Sequence, residues 1–231
     1  MKITLITGAP RSGTSMIAGI IAKCGAFGGK TSPPNPNNQK GMFENMYIRN
    51  QLVKPFLKNL GVDPLGQFPL PNPRRFIPKN KYAKPMLQGR ELRRQVLTTF
   101  HNEGWDRKAP LYYKGPKMCI MWPFWVFSFP EAKWLLVHRD IDQIAASCKR
   151  TPFMKAYESA HEWKWFAEKY REYMGKIKEY IPEDRWREVW SNKVIEDYTL
   201  MKPMIDWLGL EWKEDEVREF IDPALYNQGR S

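Results

Sequence analysis

Apolar and polar positions along the chain switch repeatedly between a two-residue and a helical period. Residues 2–7 (KITLIT) form a β-branched apolar run stopped by Gly8, which predicts a central strand. Residues 14–24 change to helical spacing and end at Gly25, a glycine able to cap a helix. Residues 28–41, rich in Gly, Pro and Asn, predict a loop, and helical spacing resumes over 46–60 until Gly61. A proline-rich irregular stretch follows at 62–85, then a helical pattern over 86–101. Leu111–Lys114 and Lys133–His138 predict short strands, with a helix over 142–149 and a long amphipathic one over 157–180. In the latter, Trp163, Phe166, Tyr170 and Tyr173 share related faces. Trp186–Trp190 predicts a last strand, residues 194–208 a helix and 211–219 a final helix. Strands alternating with helices specify an α/β domain with a mostly parallel sheet covered on both faces. In such folds ligands bind beyond the carboxyl ends of the strands.

Composition narrows the class. The 231 residues are 42% hydrophobic and include ten Trp, ample for a packed core and incompatible with a mainly disordered chain. The apolar runs break within about a dozen residues, against the roughly 20 that a spanning helix needs, so no membrane span is expected. The start MKITLITGAPRSG reads as a strand entering a glycine turn rather than a secretory leader, which points to a cytoplasmic protein. Cys24, Cys119 and Cys148 are widely spaced and read as free thiols. His101, His138 and His161 are scattered, so no metal site is expected, and His138 reads as strand packing. The 37 Lys and Arg against 25 Asp and Glu give a net charge of +12 and point to an anionic partner.

The sequence Gly8-Ala-Pro-Arg-Ser-Gly-Thr-Ser15 lies between the first strand and the first helix, where backbone N–H groups and the helix dipole cradle anions. It nearly matches the nucleotide-binding pattern G-x4-G-K-[ST], but Thr14 stands at the lysine position and the basic residue is Arg11. A second candidate is Arg139, at a strand end, with Ser147 eight residues later in the following helix. A strand-end Arg can fork onto a phosphate, or it can pair with Asp140 or Asp142.

Together these segments resemble sulfotransferases that use 3′-phosphoadenosine 5′-phosphosulfate (PAPS). Pro10-Arg-Ser-Gly-Thr-Ser15 is similar to their 5′-phosphosulfate loop, and Arg139 with Ser147 to their 3′-phosphate pair. Residues 35–45 (NPNNQKGMFEN) are similar to an Asn-Pro-Lys-Gly-aromatic-Glu segment of bacterial members. Lys114-Gly-Pro-Lys117 and Trp122-Pro-Phe-Trp125 look like a Lys-Asp-Pro-Arg segment and the Leu-Pro-Phe-Trp after it, with Gly115 in place of the aspartate. Trp190 stands where relatives often carry Tyr-Glu-Asp-Leu; it reads as core, or as an adenine-stacking ring. The resemblance spans residues 2–210.

The resemblance implies a P-loop NTPase-like three-layer α/β fold, one domain over 1–231, with about 28–110 as an insertion on the acceptor side. It implies PAPS as sulfuryl donor without a metal, and a hydroxyl- or amine-bearing acceptor, such as a sugar or an anionic glycan. Arg11, Ser12, Gly13, Thr14, Ser15, Arg139 and Ser147 would bind the donor. Arg11 would also act in transfer, with Glu44 as general base and Lys114 stabilising developing charge. Trp122–Phe129 and the 62–85 stretch would either wall the acceptor pocket or be core and cover. Apart from the resemblance, the basic segment 74–94 reads as a solvated face or a flap, or as the place where an anionic acceptor would dock. Two other readings are a P-loop kinase for a small molecule and a basic nucleic-acid-binding protein; the absent Walker lysine weighs against the first.

Overall fold

The computed structural model describes residues 1–36, 38–72 and 84–221, the last without the side chains of residues 84–88. The basic 74–94 segment therefore lies largely outside the described residues. Four strands, β1 (Ile3–Gly8), β2 (Leu111–Lys114), β3 (Lys133–His138) and β4 (Trp186–Trp190), form a parallel sheet of order β2-β1-β3-β4. The chain leaves β1 toward one edge and β3 toward the other. A crevice consequently opens beyond the carboxyl ends of these two central strands.

The strands are buried on both faces, and their side chains alternate between two apolar clusters. Ile3, Leu5, Trp134 and Leu136 face one cluster; Ile6, Leu135 and Val137 face the other. The second face is covered by α1 (Thr14–Lys23), α8 (Ser191–Glu196), α9 (Lys202–Leu208) and α10 (Glu214–Phe220). The first is covered by α2 (Lys54–Asn59), α3 (Lys84–Asn102), α4 (Lys117–Ile120), α5 (Trp122–Ser128), α6 (Ile141–Arg150) and α7 (Ala160–Tyr180). This is the three-layer α/β architecture expected from the sequence.

Some expectations change in detail. Helix α7 begins at Ala160, where Ser159 and Glu162 form a reciprocal capping box that ends the irregular entry. The helix expected over 194–208 is broken into α8, a 3₁₀ turn at Tyr198–Met201 and α9. The Asp197 side chain caps the new start by accepting from Thr199 N–H, and Pro203 sits in the first turn of α9, where a missing N–H costs nothing. The stretch 122–129 is core: Trp122 and Trp125 are fully buried, and Trp125 stacks on Tyr113 at 4.8 Å.

The segment expected as a helix over 46–60 opens as a π-helix, Ile48–Val53, and continues into α2. Pro55 explains the wide turn. It has no N–H for the Gln51 carbonyl, and its ring would clash with that carbonyl in a regular α-helix. The chain instead makes the i→i+5 bond from Lys54 N–H to Arg49 C=O. That bond brings Arg49 and Lys54 about one turn apart, onto one side, whereas an α-helix would separate residues five apart by about 140°.

Candidate functional site

A cleft of about 610 Å³ lies at the carboxyl ends of β1, β2 and β3. Its floor is the turn between β1 and α1. Gly8 leaves room for this turn: a Cβ there would stand 2.4 Å from the Val137 carbonyl oxygen. Gly13, at φ +90°, is the N-cap of α1, and no side chain caps that helix. The first amides of α1 thus keep their capacity for an external acceptor. Thr14 and Ser15, the first two residues of the helix, line the cleft with Gly13 and Arg11.

Arg11 takes a left-handed backbone conformation, φ +70°. Its Nε donates to Ser147 Oγ at 3.0 Å, which ties the turn to α6 across 136 residues of chain. Arg139 donates from Nη1 to the Arg11 carbonyl at 3.3 Å and from Nε to Gln143 Oε1 at 3.0 Å. Arg171 in turn donates to the Arg139 carbonyl. Asp140 caps α6 through Gln143 N–H, and Asp142 pairs with Lys164. Arg11, Arg139 and Ser147 therefore meet in one corner of the cleft.

Glu44 and Lys114 also line the cleft. Glu44 follows the loop that enters through Gly41 and Phe43, whose φ is +52°. Its backbone carbonyl is held by Ser32 N–H at 3.0 Å. The side chain is 4% exposed, and Oε1 has no hydrogen-bond partner among the described residues. Lys114, at the end of β2, is also 4% exposed. Burial is the main cause that pushes its pKa down to about 8; Glu44 opposes this, while Lys117, Arg49 and Arg11 add to it.

Eight of the nine residues expected from the sequence line this cleft: Arg11, Gly13, Thr14, Ser15, Glu44, Lys114, Arg139 and Ser147. Ser12 does not. It is fully buried behind the turn, its N–H closes the turn onto the Ala9 carbonyl at 3.0 Å, and its hydroxyl lies against Gly8. The tight turn rotates the Ser12 side chain inward, so of the nine residues it alone stands behind the lining rather than in it.

Sequence reasoning missed several lining residues, including Lys40, Arg49, Lys54, Gln67 and Arg150. Pro55, read as the cause of a π turn, is the signal that could have found Arg49 and Lys54. Gln67 and Leu65 bring the described part of the 62–85 stretch to the cleft rim. Gln67 accepts from Lys155 N–H and donates to the Phe153 carbonyl, clamping this stretch to the loop after α6. In the described part of the basic segment, Arg93 pairs with Glu131 and Arg94 with Glu91, and neither lines the cleft.

Trp190 is 39% exposed and not core; its ring stacks on His138 at 5.2 Å, with the Arg171 guanidinium 5.7 Å away. His138 is buried, as expected, and its Nε2 meets Glu188 Oε1 at 3.2 Å. Burial holds its pKa below the usual histidine range, opposed by Glu188. Among the described residues, no cluster of His, Cys, Asp or Glu could hold a metal ion, and no helix is long and apolar enough to cross a membrane.

The parallel α/β sheet thus carries a basic, glycine-floored crevice at its switch point, with the start of α1 in its lining. The family is settled by sequence: residues 4–214 match the sulfotransferase family, and the chain belongs to it. It is a transferase.

The fold agrees. The sulfotransferase domain from the olefin synthase of Synechococcus PCC 7002 superposes with a TM-score of 0.63, at 15% identity, over 100% of this chain and 88% of that one. The sulfotransferase domain from the curacin biosynthetic pathway gives 0.57 at 11% identity, over 96% and 78%. No curated protein sequence matches the chain.

Proposed function

We propose that the protein transfers a sulfuryl group from PAPS to a hydroxyl or amine of an acceptor. The observation that carries this reading is the convergence of Arg11, Thr14, Ser15, Arg139, Ser147, Glu44 and Lys114 on one cleft, from segments spread over more than 130 residues. The donor set suits a nucleotide bearing anions at both ends. An uncapped helix start with a glycine N-cap suits the 5′-phosphosulfate, and the Arg139 guanidinium, joined through Arg11 to the Ser147 hydroxyl, suits the 3′-phosphate.

In this reading Gly13, Thr14 and Ser15 hold the 5′ end through backbone amides and hydroxyls. Arg139 and Ser147 hold the 3′-phosphate, and Arg11, bonded to Ser147, links the two ends. When bound, PAPS supplies a sulfuryl group on a phosphate leaving oxygen. Glu44 takes the acceptor proton on Oε1, a buried oxygen without a competing donor among the described residues. Lys114 and Arg11 face negative charge as it develops. Residues 28–110 supply the acceptor side of a single domain.

The test is ligand stabilisation without metal. Adenosine 3′,5′-bisphosphate, the desulfated donor, is expected to raise the melting temperature in the presence of EDTA, and ATP with magnesium is not. Stabilisation by magnesium ATP alone would support the kinase reading instead. Mass spectrometry of hydroxyl and amine acceptors incubated with PAPS then reads the transfer itself.

A further inference from the structure

The charge lining the cleft is divided unequally. Arg11 and Arg139 are tied into the donor corner with Ser147 and Gln143. Arg49, Lys54, Lys114 and Lys117 form a second set of lining cations, the acceptor wall, besides Lys40 and Arg150, and Glu44 is the only carboxylate lining the cleft among the described residues. None of these four cations forms an ion pair among the described residues, although salt bridges are frequent elsewhere on the surface. One carboxylate does not balance them.

The fold goes out of its way to assemble this wall. The π turn at Ile48–Val53 places Arg49 and Lys54 on one side, and Pro55 enforces that turn. Lys117 comes from an unrelated segment, the first residue of α4. Arg49 is oriented by bonds from Nε to Asn50 Oδ1 and from Nη1 to Met42 Sδ, neither of which neutralises it. The crowding is felt: burial first, then repulsion from Arg49 and Lys117, holds the Lys54 ammonium below its ordinary pKa. Like charges gathered around a single carboxylate are unfavourable in the free protein, and an incoming anion relieves them.

We propose that the acceptor carries an anionic group, a carboxylate, phosphate or sulfate, which seats on Arg49, Lys54 and Lys117 and thereby brings its hydroxyl or amine to Glu44. The inference rests on the sulfotransferase reading of the cleft and names the substrate class of that same site. It locates anion recognition inside the cleft rather than on the 74–94 segment. Arg49 and Lys54 become specificity-determining residues.

The experiment uses the whole chain saturated with adenosine 3′,5′-bisphosphate, so that the donor corner is filled. Pyrophosphate, sulfate and citrate are titrated into it by calorimetry at low salt, one probe for each anion chemistry. At least one is expected to bind, and the probe that binds best identifies the anion class. Affinity for it is expected to fall about tenfold in Lys54→Met and in Arg49→Met. Both variants should keep their affinity for adenosine 3′,5′-bisphosphate, which also reports that they are folded. Lys117→Gln, on a partly exposed position, provides a second variant with the same expectation.

Absence of binding by all three probes, or equal binding in the variants, overturns the proposal while leaving the transferase reading intact. Failure of adenosine 3′,5′-bisphosphate to bind at the outset overturns the PAPS reading itself. The two failures are thus distinct.

Discussion

The two walls of the cleft are built on opposite principles. In the donor corner, polar groups satisfy one another over long chain separations: Arg11 with Ser147, Arg139 with the Arg11 carbonyl and with Gln143, Arg171 with the Arg139 carbonyl. On the acceptor wall, Glu44 Oε1 has no partner and Arg49, Lys54, Lys114 and Lys117 form no ion pairs among the described residues. The first wall is organised before its ligand arrives, because hydrogen bonds fix each guanidinium at little further entropic cost. The second is left electrostatically incomplete, and an arriving ligand completes it. Preorganisation supports affinity for a constant donor, and imbalance supports selection of a particular acceptor.

This contrast yields an ordered set of perturbations. The largest effect is expected from Glu44→Gln, which removes the proton acceptor and should lower turnover by about 10²- to 10⁴-fold. Its affinity for adenosine 3′,5′-bisphosphate should be unchanged, as measured by calorimetry. Loss of both together would dissolve the distinction between the walls. Next is Arg139→Ala, which removes a charged contact in the donor corner and should weaken adenosine 3′,5′-bisphosphate by about 30- to 100-fold. The acceptor KM should move far less.

Lys114 supplies a pH test. With its pKa near 8, it is charged below that value and neutral above it. If the charged form serves transfer, turnover falls as pH rises through about 8, and Lys114→Met is slower and lacks that alkaline limb. Stability moves the other way. Between about 8 and the ordinary lysine value the unfolded chain holds the proton that the folded one has lost. Lys114 therefore makes stability rise with pH across that window, and its cost to folding is fully present below it. Falling activity with rising melting temperature would exclude alkaline unfolding as the cause. The smallest effect is expected from Pro55→Ala. A regular helix becomes accessible there, Arg49 and Lys54 swing apart, and the acceptor KM should rise a fewfold, roughly the effect of 1 kcal/mol, with donor affinity constant.

The same contrast governs what the sequence discloses. The donor corner is legible because each part is local: a glycine turn after an apolar run, and an arginine at a strand end with a serine in the next helix. The structure brings these two local signals together through Arg11 and Ser147, a contact that no spacing rule encodes. Ser12 lies inward because a tight turn exposes some residues of a motif and buries others, which the motif alone does not show. The acceptor wall is written in single lysines and arginines on segments with ordinary helical spacing. Only Pro55, inside the 46–60 pattern, hinted that the helix was irregular. Helices α4 and α5 escaped for another reason: the Trp122–Ser128 run is apolar nearly throughout and buried except at Phe127, so it shows no clear period to read. Trp190 sits at a strand end, where sequence cannot tell a core aromatic from one stacked half-exposed on His138.

In the proposed function the corner formed by Arg11, Arg139 and Ser147 holds the donor while Glu44 serves only the transfer. This division is tested most directly by calorimetric titration of adenosine 3′,5′-bisphosphate, without metal, into the wild type, Arg139→Ala and Glu44→Gln. Equal affinity is expected in wild type and Glu44→Gln, with a loss of about 30-fold or more in Arg139→Ala. Equal affinity in all three proteins would contradict that division.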